Sequence, residues 1–156
     1  MKEKIMIVID RYNPRDDKEE LKELFEDFAE NQLYFKTSWE EFEKVLDKRV
    51  LDLTLRNGMI AAKEDGNLVG WGTYSQFSDY LGKERVLIHQ IMIRKIDAYK
   101  KGIEEQIIRE LEKYIKNTLQ FNKAYYIGVE SNNNLHSVFM KLGIEKSEFV
   151  WHEKIL

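Results

Sequence analysis

One stretch limits the fold of this chain more than any other: residues 86–115, VLIHQIMIRKIDAYKKGIEEQIIRELEKYI. Val86 to Ile93 is apolar and rich in β-branched residues, broken only by His89-Gln90, and is too short to span a membrane as a helix. It reads as a buried strand. After a basic turn containing Gly102, apolar residues recur at helical spacing (Ile103, Ile107, Leu111, Tyr114, Ile115) with Glu, Arg and Lys between them, which predicts an amphipathic helix. A strand that passes through a glycine turn into a helix aims several backbone N–H groups at one point, at the positive end of the helix dipole. Such a point binds phosphate. The same unit also fits an ordinary βα connection whose glycine only makes the turn, and local sequence leaves both readings open.

The flanking sequence supplies the remaining elements. Ile5 to Ile9 predicts a short strand, stopped by the polar segment around Pro14. Asp16 with Glu19 marks a helix start, and Leu21, Leu24, Phe25 and Phe28 mark its inner face. Ser38 with Glu41 forms a capping box for a second helix with Phe42, Val45, Leu46 and Leu53 inside and a left-handed stop at Asn57-Gly58. Met59 to Lys63 and Leu68 to Phe77 predict strands joined by a hairpin turn at Glu64-Asp65-Gly66-Asn67. Gly70 and Gly72 around Trp71 mark a bulge or a close neighbour. Ala124 to Val129 is a further strand, Leu135 to Leu142 a short helix closed by Gly143, and Phe149-Val150-Trp151 a last strand. The order βααβββαβαβ predicts an α/β domain over residues 1–156, with a mixed, mostly antiparallel sheet of six to seven strands and helices on both faces.

Composition narrows the chemistry. A chain of 156 residues with 43% hydrophobic and 34% charged residues has enough material for one folded core. The net charge of −3 gives no general reason to expect nucleic acid as a partner. The absence of cysteine excludes a thiol nucleophile, disulfides and zinc-thiolate sites. His89, His136 and His152 lack metal-ligand spacing, so no metal is expected. No apolar run reaches membrane-spanning length, and MKEK followed by five apolar residues lacks a secretory pattern. A cytoplasmic protein is expected.

Two segments carry a resemblance to a known family. Tyr99-Lys100-Lys101-Gly102-Ile103-Glu104 matches in spacing the Arg/Gln-x-x-Gly-x-Gly/Ala loop of the GNAT acetyltransferase superfamily. Asn132-Asn133-Asn134-Leu135-His136-Ser137-Val138-Phe139-Met140-Lys141-Leu142-Gly143-Ile144 is similar to the family's Asn-x-x-Ala-x-x-x-Tyr-x-x-x-Gly-Phe segment. The element order resembles the family along nearly the whole chain. Tyr99 replaces the usual Arg or Gln, Glu104 the small residue, and Phe139 the tyrosine.

The resemblance implies transfer of an acetyl group from acetyl-CoA to a small-molecule or peptide amine, by direct attack on the thioester. It implies that the backbone of Ile91, Met92 and Ile93 bonds the pantetheine arm, that Tyr99 to Glu104 cap the pyrophosphate, and that Asn132 and Phe139 also contact the cosubstrate. His89 stands where many members carry a glutamate, and a histidine near pH 7 suits removal of an ammonium proton. Glu130 is the second candidate base. Phe139 has no proton for the leaving thiolate, and Tyr125 and Tyr126 are considered in its place. The acceptor side is expected around Glu30, Asn31, Tyr34, Lys36 and Trp39, with Trp71 beneath, although Trp39 and Tyr34 equally fit as caps on the core. A non-catalytic acyl-CoA-binding module and a protein-interaction module on the same fold are the rival readings. A homodimer is left open.

Overall fold

The Glu64–Asn67 turn follows its composition. Asp65 and Gly66 both take positive φ, 51° and 83°, as a two-residue hairpin requires. They join β2 (Ile60–Glu64) to β3 (Asn67–Gly72). β1 (Ile7–Arg11) lies antiparallel on the far side of β2, two residues later than the sequence pattern places it. The structure, a computed structural model, describes residues 6–31, 37–97, 102–129 and 132–156.

α1 (Lys18–Asn31) begins on Asp17, whose carbonyl accepts the Leu21 N–H at 2.8 Å. The Asp17 carboxylate is buried, accepts the Asn13 N–H at 2.8 Å and pairs with Lys63 of β2 at 2.6 Å. α2 (Trp39–Leu51) opens on Ser38, whose Oγ accepts the Glu41 N–H at 3.2 Å. The helix ends at Leu51, because Asp52 caps a separate short helix, α3 (Leu53–Asn57), by accepting the N–H groups of Thr54 and Leu55. The break removes Leu53 from the α2 face. Leu53 and Val45 are both exposed, and Trp39 and Leu46 are the buried residues of that helix. Gly58 follows with φ −95°, so it is not a left-handed stop. Glycine stands there for space, since a Cβ would lie 2.1 Å from the Tyr74 ring.

The two long strands of the sequence pattern each divide. Leu68–Phe77 becomes β3 and β4 (Tyr74–Ser78), and the central strand becomes β5 (Glu84–Ile88) and β6 (Met92–Ile93). Trp71 pairs with Met92 and Tyr74 with Ile88. Three steps on one strand thus oppose four on the other, which is a β-bulge at His89–Ile91. The bulge splits the expected single sheet into a four-stranded sheet, β1-β2-β3-β6, and a three-stranded one, β4-β5-β7, with β7 at Tyr125–Tyr126. All pairings are antiparallel except β5 with β7.

α4 (Ile103–Asn117) covers one face of the larger sheet. Gly70 and Gly72 allow this approach: a Cβ on Gly70 would meet Ile103 at 2.8 Å, and one on Gly72 would meet Ile91 at 2.5 Å and Ile107 at 2.8 Å. An aromatic layer from α1 and α2 covers the other face, where Phe25, Trp39 and Phe42 interlock and Phe42 meets the Trp71 ring edge-on at 5.6 Å. α5 (Asn133–Lys141) ends before Gly143, which takes the expected left-handed φ of 71°. Phe149–Trp151 forms no strand and is exposed. Phe149 is held instead by ring contact with Tyr125 at 6.2 Å and by the Arg85 guanidinium at 5.2 Å.

Candidate active site

β5 and β7 run side by side only briefly. Leu87 pairs with Tyr125 and Ile88 with Tyr126, and the Ile127 N–H donates to the Ile88 carbonyl at 3.1 Å. Beyond that bond the strands part. β6 turns to pair with β3 and stands as an edge strand of the other sheet. The bulge at His89–Ile91 is thus what opens the sheet. Ile91, Met92 and Ile93 have buried side chains, so what they offer to a ligand is the free backbone edge of β6.

The notch between the parting strands is narrow and closed by its own side chains, His89, Gln90 and Ile91 on one side and Ile127 and Phe139 on the other, with Ile108 of α4 behind. Gln90 is 8% exposed, and its Oε1 is buried without a donor. A buried acceptor left unpaired costs about 1–3 kcal/mol, so this oxygen gains from any N–H or O–H donor brought to it. Sequence reasoning passed over Gln90. Its signal was present in the polar break of an apolar strand, but only the register slip gives that break a meaning.

Gly102 opens α4 with φ 63°, and a Cβ on it would meet nothing within 4 Å. It is there for its left-handed backbone, which a residue with a Cβ rarely adopts. Two places on, Glu104 is 9% exposed, with Oε2 buried and unpartnered. Burial raises its pKa to about 7. Ile103 is a core residue packed over Gly70. Tyr99, Lys100, Lys101 and Glu130 lie outside the described residues.

His89, which also lines the notch, belongs to a polar cluster with β4 and α2. Its Nε2 lies 2.5 Å from Ser75 Oγ, and its backbone N–H donates to the Thr73 carbonyl at 3.0 Å. Arg49, in the last turn of α2, donates from Nη2 to Ser75 Oγ at 2.8 Å and from Nη1 to the Tyr74 carbonyl at 2.7 Å. Burial first, and the Arg49 charge second, lower the imidazole pKa to about 4. The expectation that His89 takes up an ammonium proton therefore meets a ring that is neutral at pH 7 and weakly basic. Arg49 and Ser75 carried no signal in the sequence, because only the fold brings α2 across the β3–β4 join.

Asn132 caps α5, its Oδ1 accepting the Leu135 N–H at 3.2 Å, which leaves its side-chain NH₂ for other partners. Phe139 meets Tyr126 edge-on at 5.7 Å and covers Gly128, where a Cβ would lie 3.0 Å from its ring. The tyrosines considered in place of a family acid are engaged elsewhere. The Tyr125 hydroxyl accepts from Arg85 at 2.6 Å. The Tyr126 pKa is raised by burial and by nearby Glu112 of α4. His136 is half-buried and its Nε2 lies 3.1 Å from the Val129 carbonyl. On the acceptor side, Glu30 is exposed, while Trp39 and Trp71 are buried in the aromatic layer. The Asn31 side chain, Tyr34 and Lys36 lie outside the described residues.

Two strands parting beside a glycine-opened helix can be compared with known proteins. The sequence matches the acetyltransferase (GNAT) family over residues 18–144. The chain belongs to this family. An aminoglycoside N-acetyltransferase in complex with CoA shares the fold at TM-score 0.75 and 16% identity, over 99% of this chain and 98% of that one. A ribosomal-protein-alanine N-acetyltransferase from Brucella melitensis biovar Abortus 2308 shares it at 0.69 and 14%, over 97% and 99%. A possible acetyltransferase from Clostridium difficile 630 does so at 0.72 and 14%, over 97% and 98%. No curated protein matches the sequence. No helix among the described residues of this GNAT chain is long and apolar enough to cross a membrane.

Proposed function

We propose that this GNAT chain moves an acetyl group from acetyl-CoA to a primary amine on a small molecule or peptide. The observation that carries the reading is the parting of β5–β6 from β7 after the Ile127-to-Ile88 hydrogen bond, beside Gln90, whose Oε1 is buried and unpaired. These groups fit an extended arm bearing amide groups: the β6 edge supplies backbone donors and acceptors, Gln90 an acceptor, and Asn132 a side-chain NH₂. The Gly102 turn and the start of α4 suit the diphosphate, with Tyr99, Lys100 and Lys101 assigned to the same loop.

Acetyl-CoA supplies an activated thioester carbonyl. The amine nitrogen forms a bond to that carbon, the C–S bond breaks, the nitrogen loses a proton and the thiolate gains one. Held in place, the two reactants gain most from orientation and from donors aimed at the developing oxyanion. A ring as weakly basic as His89 holds an ammonium proton poorly, so proton removal falls to Glu130 or to solvent.

The rival reading, an acyl-CoA-binding module without turnover, is favoured by Phe139, which lacks a hydroxyl, and by the buried Glu104 carboxyl beside the helix start. Calorimetric titration with acetyl-CoA followed by thiol release over a panel of primary amines separates the two. Binding with turnover supports the enzyme. Binding without turnover on any amine supports the module. No binding at either pH 6 or pH 8 removes both.

A further inference from the structure

We propose that Arg49, acting through Ser75, is a positioning residue that fixes His89 as a neutral ring with its proton on Nδ1, so that His89 serves the acyl-transfer site as a hydrogen-bond donor. The purpose assigned to the donor rests on the acetyltransferase reading; the hydrogen-bond logic does not.

A guanidinium N–H can only donate, so at 2.8 Å from Arg49 Nη2 the Ser75 oxygen must accept. The Ser75 hydroxyl keeps one hydrogen of its own. At 2.5 Å from His89 Nε2 a proton must lie between the two atoms. If the ring donated it, Ser75 Oγ would accept twice and its hydrogen would have no acceptor among the described residues. If Ser75 donates, the one hydrogen left without a described partner is on Nδ1 instead, and the Arg49 charge on Ser75 Oγ, which makes its hydroxyl the stronger donor, decides between the two. Nε2 is then the acceptor and Nδ1 carries the hydrogen. Nδ1 has no partner among the described residues.

The electrostatics agree with this assignment. From α2 the ring faces Arg49, and from β4 it faces uncharged Ser75. Tyr126 of β7 lines the same notch, and its pKa is raised. Burial and Arg49 are the causes acting on the ring, and both disfavour its charged form. Arg49 itself makes no ion pair with a carboxylate among the described residues; its partners are the Tyr74 carbonyl, Thr73 Oγ1 and Ser75 Oγ. A half-buried cation without a counter-charge is costly, and its surroundings are the sheet join and the residue that touches the histidine. A neutral imidazole N–H beside an acyl carbonyl can polarise it and stabilise the oxyanion, as charge develops there.

The test is ¹⁵N NMR of the full chain labelled in histidine, with His136→Gln and His152→Gln used for assignment. Wild type should show the Nδ1–H tautomer for His89, uncharged from pH 8 to pH 5. Ser75→Ala should release the ring to the Nε2–H form and lower kcat about tenfold, with KM for acetyl-CoA unchanged. Arg49→Gln should move the His89 titration up by about one pH unit, and Arg49→Lys should restore it in part. A purely structural clamp at the sheet join would lower stability in these variants without changing the tautomer. An Nε2–H ring in wild type, or the same tautomer in folded Ser75→Ala, overturns the proposal. The tautomer is read without acetyl-CoA, so the stated tautomer in a chain that binds no acetyl-CoA supports the relay and removes only the acetyltransferase reading.

Discussion

Replacing Glu104 by glutamine tests whether a charge is being forced into the start of α4. Glu104 is 9% exposed, Oε2 has no partner, and burial raises its pKa from 4.5 to about 7. In an unfolded chain the carboxyl ionises near its ordinary value. Below pH 4.5 it is neutral in both states and contributes no pH-dependent difference. As pH rises from 4.5 to 7 the unfolded state gives up its proton while the folded state keeps it. Folding stability therefore falls across that window and levels off above pH 7. At about 1.4 kcal/mol per pH unit the loss reaches about 3 kcal/mol. Glutamine keeps the shape and removes the titration. Its amide brings buried N–H groups of its own, a pH-independent cost of about 1–3 kcal/mol, so the pH dependence carries the test. In urea melts at pH 4, 5, 6, 7 and 8, Glu104→Gln should gain on wild type steadily between pH 4.5 and 7. The relative gain is about 3 kcal/mol, or roughly 6–12 °C in Tm for a chain of this size. A difference that is flat across pH, or one that opens only above pH 8, would refute the buried-carboxyl argument.

Other outcomes follow from single contacts. Gly72→Ala places a methyl 2.5 Å from Ile91 Cδ1 and 2.8 Å from Ile107 Cγ2; thermal melts should show a loss of about 1–3 kcal/mol, relieved in part by Ile91→Val, which removes the nearer atom. Asp17→Ala strips the counter-charge from Lys63 and the acceptor from the Asn13 N–H; chemical denaturation should read a loss of about 3 kcal/mol, smaller in the Asp17→Ala, Lys63→Met double variant. Gln90→Leu removes the unpaired Oε1; differential scanning calorimetry should find the free protein about 1 kcal/mol more stable, while acetyl-CoA affinity by calorimetry falls about tenfold. If affinity is unchanged, Gln90 does not meet the arm.

Several elements were legible because their signals are local. The Ser38–Glu41 cap, the Asp65-Gly66 hairpin and the Gly143 stop depend on backbone angles and hydrogen bonds within a few residues, and each stands where its sequence puts it. Gly58 shows the limit. Its glycine looks like a helix stop, yet the reason for it is the Tyr74 ring, which arrives from another strand. The strand at Phe149–Trp151 failed for a similar reason: a strand needs a partner edge, and propensity cannot supply one.

By itself the sequence determined the periodic pieces: an amphipathic α4, a strand before it, glycines at the turns, and two motifs spaced as in the GNAT family. Tertiary structure alone decided where the central strand bulges, and so where the sheet opens. It also decided that Arg49, Ser75 and His89 meet and that Glu104 is buried. The physical reason is range. Helical period, capping and turn geometry are set by neighbours along the chain. A strand's register, a side chain's desolvation and a proton's position on an imidazole are set by groups brought together from distant parts of it.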